Sequence, residues 1–236
     1  MNTHPYDRLT PDLVIDAVES TGRLSDARLL ALNSYENRVY QVGIEDGEPL
    51  IAKFYRPGRW SDEQILEEHS FSLELQAAEI SVVAPMVDAA GDSLHRFDDF
   101  RFALFPRRGG YPPELDNLDN LLVLGRTLGR IHAVGRAAPF AYREGISIER
   151  MLAHSRDYLL QHFIPGELRP AYESLTADLL TTVTALFGAI DSTQQIRVHG
   201  DCHVGNILWR DDVAHFVDLD DCMTAPAIQD LWMFLN

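Results

Sequence analysis

Cysteine is scarce in this sequence, and long apolar runs are absent. Only two of the 236 residues are cysteines, Cys202 and Cys222, which is too few for a disulfide framework and fits a reducing, cytoplasmic compartment. No apolar run reaches the roughly 18 residues that a membrane-spanning helix needs. The first residues, 1–6, lack a basic segment followed by an apolar core, so we expect no signal peptide.

Basic residues are also in short supply. Against 36 Asp and Glu residues there are 20 Lys and Arg residues, which gives a formal net charge of −16. A field of that sign repels nucleic-acid phosphates, so DNA or RNA binding is disfavoured, while a basic protein partner is tolerated. We expect a monomer that binds neither nucleic acid nor membrane.

Two helices are predicted in the first hundred residues. Thr10, followed by a proline and an acid, predicts the start of a helix that ends at Glu19. Ser61 and Gln64 have the spacing of a capping box, which opens a second helix that we expect to reach about Glu79.

Five strands are predicted in the same part of the chain. Asp46-Gly47 lies between two of them and Asp98-Asp99 between two others, as expected for hairpin turns. Lys53 falls near the end of the third strand. The predicted strands cover residues 28–32, 38–44, 49–54, 94–97 and 100–105.

After residue 106 the pattern becomes mainly helical. Residues 106–113 contain two glycines and three prolines, and they form the best candidate linker in the chain. We therefore divide the chain into an N-terminal lobe, residues 1–106, and a C-terminal lobe, residues 107–236. The predicted helices cover residues 118–134, 147–163, 168–187 and 228–235, so the fold class is α+β.

One motif near the C-terminal end combines carboxylate and amide side chains at short spacing. The run His199-Gly-Asp201-Cys-His203-Val-Gly-Asn206 is followed, twelve residues after the Asn, by Asp218. We interpret it as a short hairpin with Asp201 at its tip, Asn206 on the loop and Asp218 at the end of the returning strand. Phosphoryl transfer needs such a set: a group that orients the attacking hydroxyl, and hard oxygen ligands for Mg²⁺.

The pattern H-G-D-x-H-x-x-N followed by V-D resembles the catalytic loop of the aminoglycoside phosphotransferase and choline kinase family. That resemblance implies a two-lobed, protein-kinase-like fold, with a small antiparallel-sheet lobe and a mainly helical C-terminal lobe. It also implies that Asp201 and Asp218 are catalytic, and that Asn206 and Asp218 bind Mg²⁺ in the presence of ATP.

Further segments are similar to a narrower group, the bacterial stress response kinases, which are Ser/Thr protein kinases with this fold. The likeness runs from about Thr10 to the last residue. The segments with the closest likeness are Asn33–Tyr40, Lys53–Pro57, Gln64–His69, Gly205–Asp211 and Gln229–Met233. This resemblance implies ATP-dependent phosphorylation of protein Ser and Thr residues in a stress response.

Lys53 is the candidate cation for the α- and β-phosphates of ATP. It lies among apolar strand residues, where a buried ammonium needs a partner to offset its desolvation. The helix that begins after Ser61 offers Glu67 and Glu68. In kinases a Lys–Glu pair holds the phosphates, and by resemblance we expect Glu68, with Glu67 as the alternative.

Three further residues are expected at the nucleotide. Ser34 and Asn37 lie where kinases have a phosphate loop, although residues 34–38 contain no glycine, so polar side chains would replace closely approaching backbone amides. Phe105 lies where the adenine is expected to meet the backbone between the lobes, and it is equally suited to a plain core position.

The remaining polar residues of the motif favour structural interpretations. We expect His199 to support the loop and Asp230 to cap the last helix or brace the loop. Zinc binding by the histidines with Cys202 and Cys222 is disfavoured, because the chain has no C-x-x-C spacing. Redox sensing by the two cysteines stays open beside a plain buried role.

The sequence thus predicts a Ser/Thr protein kinase. The alternatives are a kinase for a small alcohol, of the choline, homoserine or aminoglycoside type, and a non-catalytic nucleotide-binding module. The last predicted helix stops at Asn236, whereas the family resemblance implies further helices, so we expect the C-terminal lobe to be incomplete. Those helices would contribute much of the acceptor site.

Overall fold

The computed structural model describes residues 5–190 and 194–235. Helix α1, Pro11–Glu19, begins as predicted: Thr10 Oγ1 accepts a hydrogen bond from the backbone N–H of Leu13 at 3.2 Å, and proline occupies the first helical position. One face of this helix is buried against the sheet that follows, through Val14, Ala17 and Val18.

The five predicted strands form one antiparallel sheet. The strands are β1 Ser25–Leu32, β2 Arg38–Ile44, β3 Leu50–Phe54, β4 His95–Phe97 and β5 Phe100–Pro106. They are hydrogen-bonded in the order β1-β2-β3-β5-β4, so β3 is central, with Lys53 opposite Val39 on one side and Ala103 on the other. The α+β fold class is confirmed, because helices make up most of the chain after this sheet.

Helix α2, Asp62–Ala77, connects β3 to β4. Both halves of the predicted capping box are present: Ser61 Oγ accepts from the Gln64 N–H, and the Gln64 side chain accepts from the Ser61 N–H. The helix ends two residues before the predicted Glu79, and Glu79 itself has a positive φ of 56°.

The rest of the chain is mainly helical. Helix α3 covers Leu118–Gly135, α4 covers His154–His162 after a π-helical turn at Glu149–Ala153, α5 covers Arg169–Gly188, and α6 covers Ile228–Trp232. Four short strands also occur: β6 Gln195–Val198, β7 Ile207–Arg210, β8 Val213–Phe216 and β9 Met223–Pro226. Within the described ranges, no helix is both long and apolar enough to cross a membrane.

The predicted hairpin around the motif is wrong in one respect: Asp201 does not lie at its tip. Strands β7 and β8 pair with each other, and the two residues between them, Asp211 and Asp212, both have positive φ. Aspartate tolerates that conformation, so this pair makes the tight two-residue turn. Strand β6 pairs with β9 instead. Asp201 therefore lies in the β6–β7 connection, at the open end of the hairpin, where Asp218 follows β8.

The two larger clusters of buried apolar residues hold these elements together. One core buries α1 against the five-stranded sheet. The larger core joins α2 and α3 to the β7–β8 hairpin, through residues such as Phe71, Leu128 and Phe216. Helix α2 lies beside β3 and also contributes to the core around the β7–β8 hairpin. It therefore connects the strand that bears Lys53 to the motif.

Candidate active site

Lys53 lies at the centre of a cluster of carboxylates. Its Nζ is 3.1 Å from Glu68 Oε1, 3.0 Å from Asp218 Oδ1 and 3.2 Å from Asp220 Oδ1. Burial opposes the charge of the side chain, but Asp218, Asp220 and Glu68 outweigh it and hold the pKa of Lys53 well above its usual value. The ammonium is therefore fixed, charged and directed at the residue that ends the motif.

The structure distinguishes the two candidate glutamates. Glu68 is buried, with 2% of its surface exposed, and pairs with Lys53 as expected. Glu67 faces away from Lys53 and accepts hydrogen bonds from three consecutive backbone amides, those of residues 141–143, at 2.5, 2.9 and 2.7 Å. Adjacent residues of a helix point about 100° apart, so only one of the two can reach the lysine.

Three carboxylates share the one ammonium, and this crowding affects their protonation. Burial raises the pKa of Glu68 above the ordinary glutamate value; Lys53 and Arg143 oppose that rise, and Asp220 adds to it. Arg143 reaches Glu68 Oε2 from the other side at 3.4 Å. Glu68 thus lies between two cations, Lys53 and Arg143.

Asp220 is a site residue that the sequence did not single out. It has 3% of its surface exposed, and besides Lys53 it lies 3.3 Å from Arg59 and accepts a long bond from the Trp60 indole at 3.4 Å. Burial alone would raise its pKa, but Lys53, Arg59 and Arg143 lower it, so it is ionised. Its only sequence signal is its place two residues after Asp218.

Asp201 and Asn206 are in direct contact in the β6–β7 connection. Asn206 Nδ2 donates to the Asp201 backbone oxygen at 2.9 Å and to its Oδ2 at 3.1 Å. The Val217 N–H donates to the Asn206 backbone oxygen at 3.0 Å, which holds the loop beside the segment that leads to Asp218. Because the amide nitrogen of Asn206 is engaged, its Oδ1 is the atom left to bind a ligand.

The loop that bears Asp201 is supported from behind, as the structural interpretations of His199 and Asp230 expected. The buried carboxylate of Asp230 accepts from the His199 and Gly200 amides at 3.0 and 2.8 Å, and it contacts His132 Nε2 at 2.8 Å. His199 Nε2 donates to the Val217 carbonyl at 2.9 Å. Gly200 has a φ of 87°, and a Cβ there would collide with the backbone oxygen of Asp221.

The glycine-free loop at residues 34–38, the candidate phosphate loop, is held by side chains. Ser34 Oγ donates to the Asn37 carbonyl at 3.0 Å, and Asn37 Oδ1 accepts from the Arg56 backbone N–H at 3.2 Å. Tyr6 donates its hydroxyl to the Glu36 carbonyl at 3.1 Å. Ser34 and Asn37 both line the cleft, and these bonds brace a loop that contains no glycine.

The carboxylates around Lys53 and the residues Ser34, Asn37, Asp201 and Asn206 face one cleft of about 540 Å³, a size typical of nucleotide and small-ligand sites. Its walls include the phosphate loop, Lys53, Phe105 and the motif residues Asp201, Asn206 and Asp218. Phe105 lies at the apolar end, with its ring edge-on to His69 at 6.3 Å. A larger but shallower depression over β1 and β2 contains none of the motif residues.

The two cysteines are enclosed rather than reactive. Cys202 and Cys222 have 0% and 2% of their surface exposed, and burial raises the pKa of each thiol far above its usual value. A buried neutral thiol is a poor redox sensor, so the plain buried role fits better. Within the described residues, no group of three or more His, Cys, Asp or Glu side chains is arranged to hold a metal.

Comparison with known proteins gives a consistent picture. Residues 28–236 match the model of the phosphotransferase enzyme family. The chain is 44% identical over 236 residues to the serine/threonine protein kinase RdoA of Salmonella typhimurium, covering all of this chain and 71% of that one. It is 45% identical over 232 residues to stress response kinase A of Escherichia coli K12, covering 98% and 70%.

Solved structures with the same fold are more distant in sequence. An amicoumacin kinase, determined with AMP-PNP and Ca²⁺, matches with a TM-score of 0.74 at 22% identity, over 89% of this chain and 64% of that one. A spectinomycin phosphotransferase, determined with ADP and spectinomycin, matches with a TM-score of 0.68 at 18% identity, over 94% and 72%. At these identities the matches show a common fold.

Proposed function

The chain belongs to the phosphotransferase enzyme family, and from that premise we propose that it transfers the γ-phosphoryl group of ATP to Ser and Thr hydroxyls of proteins. The choice of a protein acceptor is supported by the relatives that match the whole chain at 44–45% identity, one of which is named a serine/threonine protein kinase. The structural neighbours named for amicoumacin and spectinomycin share the fold at much lower identity.

One observation supports phosphoryl transfer above all others. Lys53, Asp201, Asn206 and Asp218 come from segments up to 165 residues apart, and all four line a single cleft. A nucleotide-binding module without catalysis would need the cation but would have no use for Asp201, which lies beyond the Lys53 cluster. The complete set therefore favours an enzyme.

Asp201 is the group that we assign to the acceptor. Its carboxylate is 37% exposed and is held by Asn206 Nδ2, so it faces the cleft in a fixed orientation. In this position it orients the attacking hydroxyl and accepts its proton as the new oxygen–phosphorus bond forms. Lys53, fixed by Glu68, holds the α- and β-phosphates.

The donor set at the end of the motif fits Mg²⁺. Asn206 offers an amide oxygen and Asp218 a half-exposed carboxylate, and two hard oxygen ligands are typical of a Mg²⁺ that is otherwise bound by phosphates and water. Bound there, Mg²⁺ would neutralise phosphate charge. Asp218 then has two partners, the metal and Lys53, which places it between the nucleotide and the catalytic loop.

The nucleotide base is assigned to the opposite end of the cleft. Phe105 and Pro106 end strand β5 and line the cleft together with Val39 and Ile51 of the sheet. An apolar end of this kind is suited to a planar adenine, with backbone groups after β5 at its edge. We also propose the division into lobes at residue 106, because the sheet ends there and the helical part begins.

We propose that the protein acts in the cytoplasm as a monomer. Two buried, unpaired cysteines suit a reducing compartment. The acidic surface disfavours nucleic acid as a partner.

The test is a phosphotransfer assay with γ-labelled ATP and Mg²⁺. Basic proteins and a panel of small alcohols, including choline, homoserine and an aminoglycoside, are offered separately. We expect phospho-Ser or phospho-Thr on protein, found by mass spectrometry, and a loss of at least about 10³-fold in Asp201→Asn with ATP binding retained in calorimetry. Consumption of ATP by a small alcohol alone would transfer the assignment to that class.

A further inference from the structure

Besides Lys53, an arginine faces the cleft at a position that the family motif does not include. Arg59 lies in the short connection between β3 and α2, and its side chain is 20% exposed. It lines the same cleft as Lys53 and Asp201. Its guanidinium lies beside the ring of Trp60, 5.3 Å from the ring centroid, which limits its movement.

The contacts of Arg59 are of two kinds. From the motif side, Nη2 binds Asp221 Oδ1 at 2.6 Å and Nη1 lies 3.3 Å from Asp220 Oδ2. From the phosphate-loop side, Nη1 lies 3.6 Å from Glu36 Oε2. The last distance is too long for a hydrogen bond, and Glu36 has a closer partner in Arg56 at 2.5 Å. Asp220 and Asp221 therefore orient Arg59, whereas its weaker contact with Glu36 is readily replaced by a contact with a ligand.

Lys53 cannot neutralise the whole triphosphate by itself. Its ammonium is already shared among Glu68, Asp218 and Asp220, and further carboxylates of Asp201 and Asp221 lie nearby. A terminal phosphate that enters this acidic region is therefore stabilised by a further cation, beside Lys53, Arg108 of the cleft wall and the Mg²⁺ assigned to Asn206 and Asp218. Arg59 is linked to Lys53 through the two oxygens of Asp220, on the side of Asp221, and Asp221 is close enough to Asp201 to feel its charge.

We propose that Arg59 is a second phosphate-binding residue, which exchanges its contact with Glu36 for the terminal phosphate of ATP. The proposal rests on the proposed function. In this proposal the Glu36 carboxylate of the phosphate loop occupies the side of the Arg59 guanidinium that the terminal phosphate takes when ATP binds. When the nucleotide binds, Glu36 loses its contact with Arg59 and keeps its ion pair with Arg56.

The chemistry of the transfer suits a guanidinium at this position. The bond between the γ-phosphorus and the β-phosphate oxygen breaks, leaving ADP, while the acceptor oxygen bonds to the phosphorus and its proton goes to Asp201. Negative charge is spread over the three equatorial oxygens in the transition state. A planar guanidinium donates two parallel hydrogen bonds to such oxygens, and here it is held in place beforehand by Asp220 and Asp221.

The test compares a nucleotide that has the terminal phosphate with one that lacks it. Dissociation constants for AMP-PNP and for ADP, each with Mg²⁺, are measured calorimetrically in wild type, Arg59→Gln and the matched control Arg56→Gln. Arg56 also pairs with Glu36, but its side chain does not line the cleft. We expect Arg59→Gln to weaken AMP-PNP binding about tenfold or more and ADP binding less than about threefold.

In Arg56→Gln the ratio of the dissociation constants for AMP-PNP and ADP should equal that of wild type, because this substitution removes only the ion pair between Arg56 and Glu36. In the phosphotransfer assay, Arg59→Gln should lower kcat about 10²-fold or more. Arg59→Lys keeps a charge without the forked donors, so its AMP-PNP preference should fall between wild type and Arg59→Gln. If thermal unfolding shows that Arg59→Gln does not fold, the Arg59→Lys variant provides the test instead.

The outcomes separate the two proposals. Equal weakening of both nucleotides in Arg59→Gln, or in Arg59→Lys where Arg59→Gln does not fold, would show that Arg59 only shapes the cleft, and it would overturn this inference while leaving the proposed function intact. Failure of the wild type to bind either nucleotide would overturn the proposed function and this inference with it.

Discussion

His69 is a buried base that stabilises the cluster around Lys53 without belonging to the motif. Only 1% of its surface is exposed; Nε2 lies 2.7 Å from the Tyr55 hydroxyl and Nδ1 lies 2.8 Å from Ser93 Oγ. Burial, together with the charges of Lys53 and Arg143, lowers its pKa from 6.5 to about 3. The ring is therefore neutral and links α2 to Tyr55, directly after β3, and to Ser93, just before β4.

This shift makes the stability depend on pH in a definite direction. In the unfolded chain His69 becomes protonated below about pH 6.5, whereas in the folded protein it becomes protonated only near pH 3. The stabilisation is thus complete above pH 6.5 and is lost as the pH falls. From pH 6 to pH 4, wild type should lose about 1.4 kcal/mol of unfolding free energy per pH unit more than His69→Gln.

Urea unfolding at several pH values measures the difference. The carboxylates, which also titrate in this range, are common to both proteins and cancel in the comparison. Parallel pH profiles of wild type and His69→Gln would show that His69 accepts a proton in the folded state.

At the scale of elements, α2 is fastened to the second half of the chain by the segment at residues 141–143. Glu67 accepts the three amides of that segment, and Arg143 Nε donates to the Gln64 carbonyl at 2.7 Å. Arg143 then reaches Glu68. The helix that presents Glu68 to Lys53 is thus held in place by a neighbouring segment of the fold.

We expect Glu67→Ala to loosen this attachment. Three amides lose a charged acceptor, although residues 141 and 142 are exposed and water can replace part of the loss. The free energy of unfolding should fall by about 1–3 kcal/mol, and ATP binding should weaken because Glu68 is less well placed. Chemical denaturation and calorimetry measure the two effects.

Glu63→Ala is the matched control, since Glu63 is an exposed glutamate in the first turn of the same helix. It should change the stability by no more than the few tenths of a kcal/mol typical of a charge near a helix N-terminus. If the two variants were equally stable, the attachment through Glu67 would have no energetic importance.

The connection after Asp218 is short and structured. Only eleven residues separate Asp218 from Asp230, and they include a 3₁₀ turn at Leu219–Asp221 and strand β9, which pairs with β6. Little of this segment is left without regular structure. The fold therefore has no long loop here of the kind that many protein kinases order by phosphorylation.

At the scale of the whole molecule, net charge is the property with a functional consequence. The formal charge of −16 creates an attractive field for a basic acceptor protein and speeds its encounter with the enzyme. We expect kcat/KM for a basic protein, measured at saturating Mg·ATP, to fall about tenfold between 0.05 and 0.5 M salt, because the Debye length shortens severalfold.

A neutral Ser-containing peptide serves as the control for that measurement, since its encounter gains nothing from the field. Its kcat/KM should change by less than about twofold over the same range. Equal salt dependence for the two acceptors would mean that salt acts on the enzyme or on the nucleotide, and that the acidic surface does not recruit the substrate.

The sequence by itself determined the elements and the chemistry of the motif. Helix α1 after Thr10, the capping box of α2 and the Asp98-Asp99 turn were predictable because each depends on residues that are close together in the chain. The spacing of Asp201, Asn206 and Asp218 likewise pointed to phosphoryl transfer, since that chemistry needs these side chains and the family match bears out the class of enzyme.

Only the tertiary structure decided how those residues are partnered. The choice of Glu68 over Glu67, the pairing of β6 with β9 and the inclusion of Asp220 and Arg59 in the cleft all depend on segments that meet after folding. Lys53 and Asp220 are 167 positions apart, and no local pattern specifies which buried carboxylate reaches which cation. Helix α2 packs through Phe71 against the core of the motif region and through Ile65 against Tyr55 and Ala103. This packing fixes the choice, because a buried charge is stable only where its partner is in contact.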